Sequence, residues 1–122
     1  MKTIVLGASP NPERYAYEAV VRLLSKGHEV IPIGIRHGKT AGDLDIINGM
    51  PLIENVHTVT LYISPDIQAE YYDYILNTIQ PKRIIFNPGT ENPELLKLIK
   101  ERGLKIEVEI ACTLVMLNLG LY

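Results

Sequence analysis

Four short segments of this 122-residue sequence bring together residue types that could do chemistry. They are Gly7-Ala8-Ser9-Pro10, Gly34-Ile35-Arg36, Ser64-Pro65 and Asn87-Pro88-Gly89-Thr90. Each follows an apolar, β-branched run. Each is also small, polar or glycine-bearing, which lets a ligand approach the backbone closely. The chemistry that suits such segments is the gripping of an anion by main-chain N–H groups with a helix dipole behind them. In the first segment Gly7 allows a tight turn and Ser9 offers a hydroxyl. The dinucleotide fingerprint G-x-G-x-x-G is absent, because Ser9 and Pro12 stand at its later glycine positions, and no P-loop lysine follows. The loop by itself admits two readings: a phosphate grip, or a strand-to-helix turn stiffened by Pro10 and Pro12.

The second segment separates the nucleotides such a grip could serve. A protein that binds NAD places an acid at the end of its second strand to take the ribose hydroxyls, whereas a phosphorylated ribose calls for a base. Here the sequence is Gly34-Ile35-Arg36-His37-Gly38-Lys39, with no acid. It suits a ribose phosphate, as in NADP or coenzyme A, or else a solvated basic loop.

Little in the sequence suggests catalysis. Cys112 lies in the apolar run "IACTLVML", where a thiol is expected to be inert and part of the core. His28, His37 and His57 are scattered and have no carboxylate at a suggestive spacing. Glu91 reads as an acid in the first turn of a helix, stabilised by the dipole. Tyr71, Tyr72 and Tyr74 could stack on an adenine, but their helical spacing favours core and surface roles.

The elements that must position these segments alternate along the chain. Lys2–Leu6, His28–Gly34, His57–Ile63, Lys82–Asn87 and Leu104–Ile110 read as strands. Pro32 removes a backbone donor and places the second of them toward a sheet edge or at a bulge. Tyr15–Lys26 has apolar residues at helical spacing, a Glu18–Arg22 pair and Gly27 as its stop. A helix is expected from Ser64 to Ile79, with a proline in its first turn, and another from Glu91 to Gly103. The stretch from Ile35 to Val56 is an irregular crossover with room for a short strand at Met50–Ile53. This order predicts a Rossmann-like, doubly wound α/β domain over residues 1–122: a parallel sheet, buried on both faces, between helix layers. The ligand crevice of such a sheet lies beyond the C-terminal strand ends, where the four segments converge.

Composition narrows the partners. Hydrophobic residues make up 47% and charged residues 21%, with a formal net charge of -2. No basic surface for nucleic acid or an anionic membrane is expected, and no apolar run is long enough to span a bilayer, so the expected location is cytoplasmic. One cysteine forms no internal disulfide and suggests no zinc site.

Taken in order, "GASPNPERYAYEAVVRLLSKGHEVIPIG", Gly49-Met50-Pro51, Ser64-Pro65, "NPGTEN" and "ACTLVML" resemble the small stand-alone CoA-binding domain proteins. Those are similar in fold to the CoA-binding domain of the succinyl-CoA synthetase alpha subunit. The resemblance covers essentially the whole chain. It implies that Gly7, Ala8, Ser9 and Arg14 wrap the pyrophosphate of coenzyme A and that Gly34 and Arg36 lie beside the adenosine and its ribose phosphate. It further implies that Ser64 and Pro65 pack along the cofactor and that Asn87, Pro88, Gly89 and Thr90 approach the pantetheine. In the first loop prolines replace the glycines of the synthetase. The synthetase's phosphorylated histidine belongs to another domain, so ligase chemistry does not carry over. The expectation is a non-enzymatic module for coenzyme A or an acyl-CoA, acting as a sensor or carrier, with a homo-oligomer or an unidentified protein partner as the further alternatives. The alternative is a small NADP-linked or acyl-CoA-processing enzyme using Cys112 or Ser9.

Overall fold

The computed structural model describes residues 1–122. Five strands, β1 (Thr3–Leu6), β2 (Val30–Ile33), β3 (Thr58–Leu61), β4 (Arg83–Phe86) and β5 (Glu107–Ile110), form one wholly parallel sheet in the order β2-β1-β3-β4-β5. The expected Rossmann-like α/β architecture is the one found. Strand order reverses at β1: the chain leaves it for β2 on one side and returns to β3 on the other. Connections therefore part between the C-terminal ends of β1 and β3 and open a crevice there.

Every residue of β1 to β4 is buried. Their alternation sends Ile4, Leu6, Val59, Leu61, Ile84 and Phe86 into one core with Ile75, Leu76, Leu95 and Ile99. On the opposite face Val5 packs with Ala16, Val20, Leu23 and Leu117. Those last residues come mainly from α1 (Tyr15–Ser25), whose Glu18 and Arg22 form an ion pair at 3.0 Å away from the core. Gly27, at φ +82°, takes the left-handed conformation that ends this helix. β2 is an edge strand, as Pro32 requires, and the Pro32 carbonyl accepts from Ile47 N at 2.9 Å.

Three expectations are corrected. Met50–Ile53 is not a strand: the crossover closes instead through a 3₁₀ turn at Ala41–Asp43 and isolated bridges Ile33–Ile47 and Lys39–Asp45. The long helix from Ser64 is broken into α2 (Pro65–Gln68), a 3₁₀ turn (Ala69–Tyr71) and a π-helical turn (Tyr74–Ile79). Tyr71 and Tyr74 both lie in the core, edge to face at 6.4 Å. β5 is not buried on both faces, because it is the other edge and its Glu107 and Ile110 are exposed. The remaining helices are α3 (Pro93–Glu101) and α4 (Thr113–Asn118).

Asn87 joins three of these elements. Its Nδ2 donates to Thr60 Oγ1 (2.6 Å) and to the Leu61 carbonyl (2.9 Å), and its Oδ1 accepts from Thr113 N at 2.8 Å. Thr60 and Thr113 also share a hydrogen bond at 2.8 Å. The ends of β3 and β4 are thereby tied to the start of α4. Asn87→Ala strands the Thr113 N–H in a buried site and should lower stability by about 2–3 kcal/mol. The measurement is the urea midpoint at unchanged m; a midpoint equal to the parent's would contradict this assignment.

Candidate functional site

The strand-end segments meet around one open cleft of about 370 Å³ at the switch point. Its first wall is the loop after β1. The N–H groups of Gly7 and Ala8 both donate to the Ile33 carbonyl, at 2.8 and 3.0 Å, which presses this loop against the end of β2. Two glycines permit the closeness. A Cβ on Gly34 would lie 2.8 Å from the Ala8 carbonyl oxygen. One on Gly7, which has φ +105°, would lie 2.9 Å from Ile63 Cγ2.

The prolines of this loop act by removing donors, and Ser9 and Asn11 supply the turn geometry that glycine would otherwise give. Ser9 Oγ accepts from Asn11 N at 3.1 Å and Asn11 Oδ1 accepts from Glu13 N at 3.0 Å. Arg14 N donates to the Asn11 carbonyl at 3.1 Å. The N–H groups of Ser9, Tyr15 and Ala16 have no acceptor in the chain, and all three residues line the cleft. Those of Tyr15 and Ala16 are the first-turn donors of α1, whose dipole places its positive end there.

Two guanidinium groups, Arg14 and Arg36, line the same cleft, and neither is paired with a carboxylate. The Arg36 loop is pinned by Asn48, whose Nδ2 donates to the carbonyls of Gly34 (2.7 Å) and Arg36 (3.0 Å). Lys39 behaves differently. It is held by Asp45 at 2.9 Å and Asp43 at 3.8 Å, and its hydrogen bond to Asp45 raises its pKa. The basic character of the segment at the cleft is therefore that of Arg36 alone.

The second wall is apolar. Tyr62, Ile63, Ile67, Tyr71 and Pro88 line it together with Thr90. Burial pushes the Tyr62 phenol up to about 12, partly offset by the hydroxyls of Thr113 and Thr60, so it is neutral across the physiological range. At the lips, Tyr15 and Ile35 are 76% and 74% exposed. Asn87-Pro88-Gly89-Thr90 forms a tight turn, with Gly89 at φ +89° and Thr90 N donating to the Asn87 carbonyl at 2.9 Å. Proline and glycine at its two central positions suit type II geometry. Glu91 is not in a helical first turn; its carboxylate accepts from Gly89 N at 2.7 Å, just before Asn92 caps α3.

Of the residues singled out in the sequence, Gly7, Ala8, Ser9, Arg14, Gly34, Arg36, Pro88 and Thr90 line the cleft, and so does Tyr71, for which the helical spacing favoured a core or surface role. Ser64 and Pro65 begin α2 behind Ile63 and Ile67, and the Asn87 side chain is used in the network beneath the cleft. Gly89 forms the turn beside Pro88 and Thr90 without lining the cleft itself. Sequence reasoning passed over Tyr15, Ala16, Tyr62, Ile63 and Ile67, and named Ile35 only as part of its strand-end segment. Ile63 could have been found, since it directly precedes Ser64-Pro65 at the end of its apolar run.

Neither Ser9 nor Cys112 meets a base. His28 and His57 precede β2 and β3, at the opposite end of the sheet, and burial holds both below the ordinary imidazole range. Cys112 is half-buried at the N-cap of α4, outside the core and not among the residues that line the cleft. No helix is long and apolar enough to cross a membrane.

A wholly parallel five-stranded sheet, with a helix N-terminus and unpaired guanidiniums at its switch point, makes this a Rossmann-like α/β domain. The comparison with families narrows the class. A family described as CoA binding domain matches residues 1–118, and the chain belongs to it. A crystal structure of an uncharacterized protein shares 54% identity over 99% of this chain and 97% of its own, with a TM-score of 0.93. A hypothetical protein from Pyrococcus horikoshii OT3 shares 26% identity over 93% of this chain and 78% of its own, with a TM-score of 0.77. A structure from Thermus thermophilus shares 25% identity over 99% and 90%, with a TM-score of 0.82. No curated protein matches the chain.

Gly34→Ala should drive the first loop away from β2 and reduce stability by about 1–3 kcal/mol, measured by chemical denaturation. A variant as stable as its parent would show that the two loops separate freely.

Proposed function

We propose that the chain is a single-domain, non-enzymatic module that holds coenzyme A or an acyl-CoA in this cleft, as a sensor or carrier. One observation carries the reading. Three unpartnered main-chain N–H groups, at Ser9, Tyr15 and Ala16, share a cleft with two guanidiniums that no carboxylate neutralises. An anion with more than one phosphate satisfies all of them, and membership of the CoA binding domain family supports coenzyme A as that anion.

The donor set fits the cofactor part by part. The amides at the start of α1, with Arg14, suit the pyrophosphate. Arg36, at the end of β2 where an NAD-binding protein carries an acid, suits the ribose phosphate. The apolar wall of Ile63, Ile67 and Pro88 suits the uncharged pantetheine arm. Coenzyme A brings to such a site a thiol that carries acyl groups; the chain's own residues bind and orient it. No base stands within the cleft beside Ser9, so the residues present hold a ligand and supply no proton relay.

Calorimetry with coenzyme A, desulfo-CoA and 3'-dephospho-CoA tests this. The parent should bind the first two alike, since the grip is on phosphates. Arg36→Ala should weaken coenzyme A by about tenfold or more, the worth of one charge-assisted hydrogen bond, and leave 3'-dephospho-CoA nearly unchanged. Absence of saturable binding at millimolar coenzyme A would reject the proposal, and equal losses for the two ligands would remove Arg36 from the ribose phosphate.

A further inference from the structure

Gln68 is flanked in sequence by exposed residues, Asp66 and Ile67 before it and Ala69 and Glu70 after it, yet it is 0% exposed. A buried carboxamide is tolerated when its donors and acceptor are used, and here they are. Nε2 donates to the Ile63 carbonyl and to the Thr90 carbonyl, both at 2.8 Å. Oε1 accepts from Asn92 Nδ2 at 2.9 Å. Asn92 is itself fixed, since its Oδ1 caps Leu95 N at 3.2 Å and its Nδ2 also donates to the Tyr72 hydroxyl at 2.8 Å.

The two carbonyls that Gln68 holds belong to residues that line the cleft, one on the loop after β3 and one on the loop after β4. The sheet ladder between those strands ends at the pair Leu61–Phe86, and beyond it the two loops diverge. Gln68 spans the divergence from inside the protein. The opposite wall is held by other bonds, those of Gly7 and Ala8 to Ile33 and of Asn48 to Gly34 and Arg36. The two walls thus have different side-chain supports, and they meet where Tyr62 N donates to the Leu6 carbonyl at 2.8 Å.

Resting on the coenzyme A reading above, we infer that Gln68 is a positioning residue: it sets the spacing of the β3 and β4 loops and so governs affinity for the pantetheine arm and not for the nucleotide. Its donors are essential to this role. A carboxylate at the same place offers no hydrogen to either carbonyl, and a thioether of similar length offers none either.

The experiment compares parent, Gln68→Met and Gln68→Glu, with coenzyme A and adenosine 3',5'-bisphosphate as ligands, and follows hydrogen exchange in the free proteins. Both variants should weaken coenzyme A by about tenfold, the equivalent of one or two lost hydrogen bonds, and hold the bisphosphate within about twofold. Exchange should quicken together in residues 63–67 and 88–92 and stay unchanged in 7–16. A merely structural role would lower both affinities alike, and that result, or unchanged exchange in the two loops, overturns the inference. A parent that binds neither ligand strikes instead at the coenzyme reading, and the exchange measurement still decides whether Gln68 holds the β3 and β4 loops together.

Discussion

The carbonyl of Ile33 accepts from both Gly7 and Ala8, and the form of the cleft depends on this shared bond. It turns the chain sharply out of β1 and holds the loop flat against β2, so that α1 starts with its free amides facing the switch point. Such close approach of two backbones leaves no room for a Cβ at Gly34. A wider turn would direct the first-turn N–H groups of α1 into solvent, where water satisfies them at no advantage to a ligand.

Electrostatics at the site are local. A protein with a net charge of -2 has no broad positive field to concentrate anions. Its attraction comes from partial charges on amides and from Arg14 and Arg36, which the fold leaves without acidic partners while Lys39 is neutralised by Asp43 and Asp45. The dipole part of this field falls off within the first helical turn, whereas the two guanidinium charges reach about one Debye length, roughly 8 Å at physiological ionic strength.

The prolines of the first loop take their meaning from this arrangement. In a glycine-rich phosphate loop, freedom of φ lets successive amides turn toward the anion. Here Pro10 and Pro12 contribute no amide, the amides of Asn11 and Glu13 are taken by Ser9 and Asn11, and those left free are at Ser9, Tyr15 and Ala16. A loop with fewer free donors and less conformational freedom loses less entropy when it orders around a ligand.

Much of the architecture was legible in the sequence, for a physical reason: in a parallel sheet covered on both sides, strands are apolar runs and helices carry a 3.6-residue stripe, so their order shows directly. Gly7, Gly34, Arg36 and the Asn87–Thr90 turn stood out because small and charged residues at strand ends break those runs. Irregular elements did not show. Met50–Ile53 has strand-like residues, but it is Ile47 that meets the β2 edge, and the 3₁₀ and π-helical turns after β3 leave no mark in the spacing of the apolar residues. Cys112 and Glu91 were placed wrongly because capping positions are set by where a turn falls. The sequence by itself determined the order of elements, the class of fold and the small, polar loops at the C-terminal strand ends, since burial and backbone freedom are written in residue type. Tertiary structure alone decided which amides remain free, which cations remain unpaired and that Gln68, amid exposed neighbours, is buried between the β3 and β4 loops. Those outcomes depend on partners distant in the chain, and no local pattern records them.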